Sequence, residues 1–329
     1  MILVTGATGL VGSAVVRQLL EKGESVRALV RVDSDLSNIK DLDIEFFEGD
    51  LRNSNNFGEM FSGCEGLFHL AADYRLWAKN PTDLYRVNCD GTKAIMLSAA
   101  KAGVSRIVYT SSVATLGLVP GGEANEETPV KFEDMIGNYK KSKFLAEKFV
   151  KELCLSEGVP IVIVNPTTPI GPRDIKPTPT GRMILEAAAG KIPAYVETGL
   201  NLVHVDDVAK GHILAYEKGS IGEKYILGGQ NLEFSQILAK IAEITGGRCP
   251  KIKLPHNFIL PIGVFVELWA RIFGNSEPFI TVDGIRMAKK KMFFSSKKAE
   301  SQLGYKSQAP ENGLRDAIEW FTQTGRLKV

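Results

Sequence analysis

The sequence predicts an α/β fold, built on an open, doubly wound parallel sheet with helices on both faces and followed by a smaller mixed C-terminal region. Three observations carry that expectation. Strand-like apolar runs alternate with amphipathic helical stretches through the first half of the chain. Several of those runs are continuous and β-branched, the pattern of strands covered on both sides. A glycine-rich segment, LVTGATGLVG, joins the first strand to the first helix.

The expected strands are Ile2–Thr5, Val26–Val30, Ile44–Glu48, Gly66–Leu70, Arg106–Thr110 and Ile161–Val164. Between them, apolar residues recur at helical spacing over Leu10–Glu21, Asn55–Phe61, Pro81–Ala102 and Asn138–Ser156. This βαβα order gives parallel strands with crossover helices. After Pro166 proline and glycine break the pattern. A strand at Leu202–Val205 leads into a helix capped by Asp206 or Asp207 and running toward Gly219. Strand Lys224–Leu227 and helix Phe234–Thr245 follow. The expected division is a dinucleotide-binding domain over 1–165, with 199–228 packing back on it, and a substrate-binding domain from 166–198 and 229–329. The most apolar stretch, FILPIGVFVELWARIF at Phe258–Phe273, reads as a core or lid helix. It is too short to span a bilayer, which takes roughly 20 apolar residues.

The chain has 329 residues, 44% of them hydrophobic, and a formal net charge of +2. That near balance gives no electrostatic case for nucleic acid. The short runs Lys289–Lys291 and Lys297–Lys298 read as solvated faces. Cys64, Cys89, Cys154 and Cys249 show no metal-ligand spacing and no disulfide framework, so no metal is expected. The first strand begins at the initial methionine, leaving no room for a signal peptide. A reduced, cytoplasmic setting is expected.

Gly6, Gly9 and Gly12 lie between strand and helix, the context in which such a triplet binds a dinucleotide. Gly6 permits the tight turn, Gly9 admits a pyrophosphate, and Gly12 lets helix pack on strand. Thr8 and Leu10 belong to the same loop, where the helix N-terminus offers N–H groups to phosphate. An NAD site usually places an acid at the end of the second strand. Arg31 stands there instead, and its fork can pair with a 2′-phosphate, with Ser34 adding a hydrogen bond. NADP is therefore favoured over NAD, although Asp33 or Asp35 could still reach a ribose. Asp50 and Leu51 follow the third strand. Asp50 suits an adenine amino group or, more plainly, a helix cap.

The fifth strand ends in Thr110, Ser111 and Ser112, at the sheet edge where ligands bind in such folds. Tyr139 and Lys143 stand four residues apart, about 40° around a helix, hence on one face. A tyrosine's pKa near 10 is too high for proton exchange at neutral pH unless an ammonium lowers it. Lys143 is expected to do so, Ser112 to hold the substrate oxygen, and Tyr139 to pass a proton as hydride moves. Lys140 and Lys141 point elsewhere and read as solvated.

The strings TGATGLVG, GDL, HLAA, YTSS and YKKSK together resemble the extended short-chain dehydrogenase/reductases over essentially the whole chain. The resemblance implies a Rossmann-type sheet and roles for matching positions. These are Gly6, Gly9 and Gly12 under the pyrophosphate, and Asp50 with Leu51 at the adenine. Leu70, Ala71 and Ala72 fall under the cofactor, Asn88 on the neighbouring helix, and Pro166 beside the nicotinamide. Ser112, Tyr139 and Lys143 match the catalytic set, with Ser112 preferred to Ser111 because it stands five residues before Gly117. Asp206, in LVHVDDVAKGH, matches a structural cap.

Longer strings (AADYRLWA, NPTTPIGPRDIKPTPTGRM, PAYVETGLNLVHVDDVAKGH and KKMFFSSKKAE) resemble the hopanoid-associated sugar epimerases, a group similar to the dihydroflavonol reductases. The resemblance implies a small-molecule substrate, a sugar or polyol derivative linked to hopanoid metabolism and so lipid-linked. An NADPH-dependent ketone reductase is the alternative, and Arg31 pulls toward it. A non-catalytic cofactor-binding scaffold or redox sensor is a third reading, set against the intact Ser112, Tyr139 and Lys143. Expected pocket residues are Asp73, Tyr74, Arg75, Trp77, Ser112, Thr167, Thr168 and Arg173, with Tyr195 and His204 as weaker candidates. Many relatives form a homodimer through the helices at 81–102 and 138–156, whereas the reductase-like branch is often monomeric.

Overall fold

The computed structural model of the chain describes residues 1–53, 57–78, 80–273 and 281–327. Its first five strands are β1 (Ile2–Thr5), β2 (Val26–Val30), β3 (Glu45–Glu48), β4 (Gly66–His69) and β5 (Arg106–Thr110). The helices between them are α1 (Leu10–Glu21), α2 (Phe57–Met60), α3 (Thr82–Tyr85) and α4 (Thr92–Lys101). Helix α5 (Gly137–Glu157) leads to β6 (Ile161–Pro166) and β7 (Thr168–Ile170). Then come α6 (Pro179–Ala188), β8 (Ala194–Tyr195), β9 (Gly199–His204), α7 (Val205–Lys218), β10 (Lys224–Leu227) and β11 (Gln230–Glu233). The chain closes with α8 (Phe234–Thr245), β12 (Ile252–Lys253), α9 (His256–Phe273), α10 (Val282–Ala288), α11 (Lys297–Leu303) and α12 (Pro310–Gln323).

Seven strands form one parallel sheet in the order β10-β6-β5-β4-β1-β2-β3. The strand order reverses between β1 and β4, so the crevice for a ligand opens at their carboxyl ends. The continuous apolar runs are explained by what covers them. Ile2, Val4, Phe68, Val108, Val162 and Val164 face a core shared with α1 and α7. Their neighbours Leu3, Leu67, Ile107, Tyr109, Ile161 and Ile163 face a second core with α4 and α5. Each strand alternates, as strands must, but both sides are dry.

A smaller region has its own core, with Ile170, Leu202, Leu232, Ile237, Leu314 and Phe321 at its centre. Here β9 pairs antiparallel with β11 and parallel with β7.

Four local expectations change. The helix expected at Asn55–Phe61 is the short α2, and Asn55 lies outside the described residues. The helix expected over Pro81–Ala102 is interrupted by a π-helical segment, Arg86–Gly91, between α3 and α4. The strand expected at Leu202–Val205 ends one residue earlier, and neither Asp206 nor Asp207 caps α7. The cap is His204, whose Nδ1 accepts the Asp206 N–H at 3.0 Å. Helix α9 is not a core helix: Phe258, Ile262, Val264, Phe265, Leu268 and Trp269 are all more than half exposed. No helix among the described residues is long and apolar enough to cross a membrane.

Candidate active site

Thr5, His69, Thr110 and Pro166 end the four central strands β1, β4, β5 and β6, and the candidate residues gather above those ends. The glycine loop has a different constraint at each position. Gly6 adopts φ +70°, and a Cβ there would come within 2.7 Å of the Ala71 nitrogen. A Cβ on Gly12 would lie 2.0 Å from the Gly6 carbonyl oxygen, so only glycine lets α1 start so close to the turn. A Cβ on Gly9 would meet only the Gly6 oxygen, at 3.4 Å; on that side the loop opens outward. Gly9 also caps α1 without a side-chain hydrogen bond, and the first turn has no acid. An uncapped helix start beside a cradle that a Cβ would narrow suits an anionic pyrophosphate. Leu10 and Leu51 are buried supports near it, and the Thr8 carbonyl is held by Asn38 Nδ2 at 3.0 Å.

Arg31 closes β2 in a turn with Ser34, whose Oγ accepts the Arg31 N–H at 3.2 Å. The Arg31 side chain is half exposed, 3.9 Å from the more exposed Asp33. Asp50 caps no helix. Its Oδ1 accepts the Arg52 N–H at 2.8 Å, and both its oxygens bind the Arg52 guanidinium, which holds its pKa below the usual carboxylate range. Arg52, absent from the sequence reading, thus puts a second guanidinium near Arg31.

Asn88 sits in the π-helical segment and is 1% exposed. Its Oδ1 accepts the Asp73 N–H at 2.7 Å, while its Nδ2 donates to the Asp73 carbonyl and to Ser142 Oγ, both at 2.9 Å. The π turn swings this amide between the strand-end loop and α5, a position from which it fixes the segment Leu70–Asp73. Leu70 and Ala71 are tied to Thr5 by its backbone and hydroxyl oxygens, each at 3.2 Å, and Ala72 stays half-buried.

The Ser112 hydroxyl stands close enough to Tyr139 to favour its ionised form, while its Oγ accepts the Ala114 N–H at 3.1 Å. Ser111 turns away and donates to the buried Glu147, so the two adjacent serines face opposite ways. Glu147, one turn beyond Lys143 on α5, also takes hydrogen bonds from Thr115 Oγ1 at 2.7 Å and Asn165 Nδ2 at 2.9 Å. Asn165 Nδ2 lies 3.0 Å from the Ser112 carbonyl as well. One buried carboxylate therefore ties the Ser112 turn to the helix that carries Tyr139 and Lys143.

The expected tuning of the tyrosine is not what this state displays. Burial pushes the Tyr139 hydroxyl above its ordinary value, and the nearby Ser112 hydroxyl offsets this only in part. The ammonium of Lys143 is engaged elsewhere: Nζ donates to the Thr110 carbonyl at 2.9 Å and to the Tyr109 hydroxyl at 3.2 Å, 4.8 Å from that ring's centre. Lys143 is 2% exposed, and burial lowers its pKa to about 8, against the pull of Glu147. Its neighbour His69, hydrogen-bonded to Thr5 and Thr92, is pushed down to about 3 by burial and stays neutral. The other two lysines are not freely solvated. Burial and the nearby Lys290 lower Lys140 to about 8, and Lys141 lies over the Phe132 ring at 5.9 Å.

Around this centre, Asp73 pairs with Arg75, and the Tyr74 hydroxyl reaches the Lys176 carbonyl at 3.4 Å. Trp77 is half-buried beside them in sequence. Pro166 is buried at the end of β6. Thr167 donates its N–H to the Leu227 carbonyl at 3.2 Å, and Thr168 opens β7. Arg173 is the only non-glycine residue with positive φ among the described residues, at 74°, and its guanidinium is bound to Asp206. His204 is not positioned for a ligand: it is 2% exposed, with Nδ1 capping α7 and Nε2 3.0 Å from Asp316. Tyr195 lies against Phe234 instead. No cluster of three or more metal-ligating side chains occurs among the described residues.

Sequence reasoning missed Tyr109, Glu147, Asn165, Asn38 and Arg52. Glu147 had a signal in its spacing four residues after Lys143, and Arg52 in standing two residues after Asp50. The others act through contacts that no local spacing encodes.

The NAD dependent epimerase/dehydratase family matches residues 2–228. A putative dihydroflavonol 4-reductase of Synechocystis sp. is 44% identical over 331 residues, covering 99% of this chain and 96% of the relative. Sterol demethylase protein B of Methylococcus capsulatus is 33% identical over 326 residues, covering 99% of both. The crystal structure of gox2253 superimposes with a TM-score of 0.90 at 51% identity, covering 100% of this chain and 99% of that one. With its Rossmann-like sheet, the chain belongs to the NAD dependent epimerase/dehydratase family of the extended short-chain dehydrogenase/reductases and is an NAD(P)-dependent enzyme.

Proposed function

We propose that the protein is an NADP(H)-linked oxidoreductase that interconverts a carbinol and a ketone and releases its cofactor each turnover. The observation that carries the reading is the placement of the Ser112 hydroxyl beside Tyr139 at the end of β5, with Lys143 one helical turn behind. The nicotinamide supplies or accepts the hydride. Ser112 holds the substrate oxygen. Tyr139, protonated at neutral pH because burial raises it, donates to that oxygen as a ketone is reduced. Lys143 carries its charge to the strand-end turn, where it donates to the Thr110 carbonyl and the Tyr109 hydroxyl.

Arg31, with Arg52 nearby, supports NADP over NAD: two guanidiniums near the end of β2 suit a 2′-phosphate. The name of the Synechocystis relative, a putative dihydroflavonol reductase, supports a reductase reading over a self-contained epimerase. A substrate in hopanoid metabolism, implied by the longer strings, stays compatible with this chemistry, as does a sugar or polyol carbinol. Asp73, Tyr74, Arg75, Trp77, Thr167, Thr168 and Arg173 are proposed as the pocket wall.

The test is to identify the cofactor that copurifies and then titrate NADPH and NADH by fluorescence. Exchangeable NADPH bound well ahead of NADH is the expected result. Tightly retained NAD(H) would overturn the reductase reading in favour of an epimerase. Tyr139→Phe should lower turnover by about 10²- to 10⁴-fold while sparing NADPH binding. Full activity in that variant would reject the mechanism.

A further inference from the structure

We propose that α9 docks the enzyme on an anionic lipid bilayer surface, lying flat in the interface rather than crossing it. Projected at about 100° per residue, the exposed positions Phe258, Pro261, Ile262, Val264, Phe265, Leu268 and Trp269 fall in one arc of about 160°. Exposure within it reaches 75% at Phe258, 66% at Phe265 and 58% at Trp269. Between Phe258 and Ala270 the only charged residue is Glu267, and it faces the other way, with Oε1 accepting the Val282 N–H at 2.6 Å.

The opposite side of α9 is already covered. Gly263 and Ala270 are buried there, and α10 runs antiparallel beside it. His256 contacts the Ala288 carbonyl at one end, while Glu267 meets Val282 at the other. So α9 is apolar on both sides, with one side used by the protein and the other turned to solvent. An exposed apolar patch of this kind marks an interaction surface, and a helix with such a face lies in a membrane interface when cations rim it.

The rim here is cationic. Lys289 Nζ is held 3.1 Å from Asn257 Oδ1, and Asn257 lies on the same arc as Val264 and Leu268. Lys290 follows Lys289, and Lys251 precedes the exposed Ile252 on β12. Lys251, Lys289 and Lys290 have no carboxylate partner among the described residues. The nearby acids are spent internally: Glu197 on Lys253, Glu233 on Lys291, Asp283 on Arg286. This charge pattern favours an anionic bilayer over a second copy of the chain, which would bring the same lysines together.

The surface also adjoins the candidate active site. Helix α10 covers the start of α5: a Cβ on Gly137 would lie 3.0 Å from Asp283 Oδ2, two residues before Tyr139. Docking through α9 would therefore set the cleft mouth next to the lipid.

The full chain should cosediment with vesicles of phosphatidylcholine mixed with phosphatidylglycerol. It should bind vesicles of phosphatidylcholine alone much less, and salt should release it. Phe265→Glu and Trp269→Glu should each weaken binding about tenfold or more. Lys289→Gln with Lys290→Gln should cost about tenfold or more and abolish the preference for phosphatidylglycerol. These side chains are exposed, so the fold and NADPH binding stay unchanged, which circular dichroism and the cofactor titration verify. Two results would overturn the proposal: no binding to anionic vesicles, or binding that Phe265→Glu leaves intact. A dimer in solution that Phe265→Glu dissolves would also overturn it, assigning the face to a second copy.

Discussion

The ammonium of Lys143 lies 3.2 Å from the hydroxyl of Tyr109 inside the second core, rather than against Tyr139. Burial lowers Lys143 from 10.5 to about 8, so its charge is lost within reach of working pH. The folded-state value lies below the unfolded one. The cost to stability is therefore in full force below about pH 8 and is relieved as pH rises from about 8 toward 10.5. Turnover in the reductive direction should hold up to about pH 8 and fall above it. Tyr109→Phe should shift that limb while leaving NADPH binding in place, since it removes one partner of the ammonium. A pH–rate profile of both proteins checks this; an unshifted limb assigns it to another group.

Glu147 should matter more for order than for charge. Replacing it by alanine leaves Ser111, Thr115 and Asn165 without their shared acceptor, at a cost of about 2–4 kcal/mol in urea unfolding. Glu147→Gln keeps an acceptor oxygen and should recover at least half of that loss. Equal losses in the two variants would mean that the negative charge itself, facing Lys224 at 3.7 Å, is what stabilises.

The glycine loop separates folding from binding. Gly12→Ala puts a methyl 2.0 Å from the Gly6 carbonyl, so the turn must open and the protein should melt well below the parent. Gly9→Ala meets nothing closer than 3.4 Å and should melt within about 1 kcal/mol of the parent. It should nevertheless bind NADPH at least about tenfold more weakly, because its methyl occupies the pyrophosphate's approach. Thermal melts with and without NADPH distinguish the two.

Arg31→Ala should weaken NADPH about tenfold and leave NADH nearly unchanged, the loss of one charge-assisted contact to the 2′-phosphate. Equal weakening of both cofactors, measured by fluorescence titration, would place Arg31 outside that contact.

The periodicity of the first half reached nearly every strand of the central sheet, because a strand buried on both faces must be apolar throughout. Motif spacing placed Gly6, Gly9, Gly12, Ser112, Tyr139 and Lys143 around one crevice. What spacing could not reveal was where polar ends point. Lys143 shares a helix face with Tyr139, yet its four-carbon stem carries the charge to Tyr109 and Thr110, residues of another element. His204 was a weaker pocket candidate; its two nitrogens are instead consumed by the α7 start and Asp316. The apolar content of α9 was plain, but apolar content alone does not say whether a helix faces a core or solvent.

The central sheet gains its last strand, β10, only from residues Lys224–Leu227, and α7 just before it covers α1 from the start of the chain. On the ribosome, then, the cofactor half cannot finish folding when its own residues have emerged. The edge of β6 and the apolar side of α1 stay open until more than two hundred residues have been made, so the growing chain is most exposed to chaperones and to misassociation at that stage.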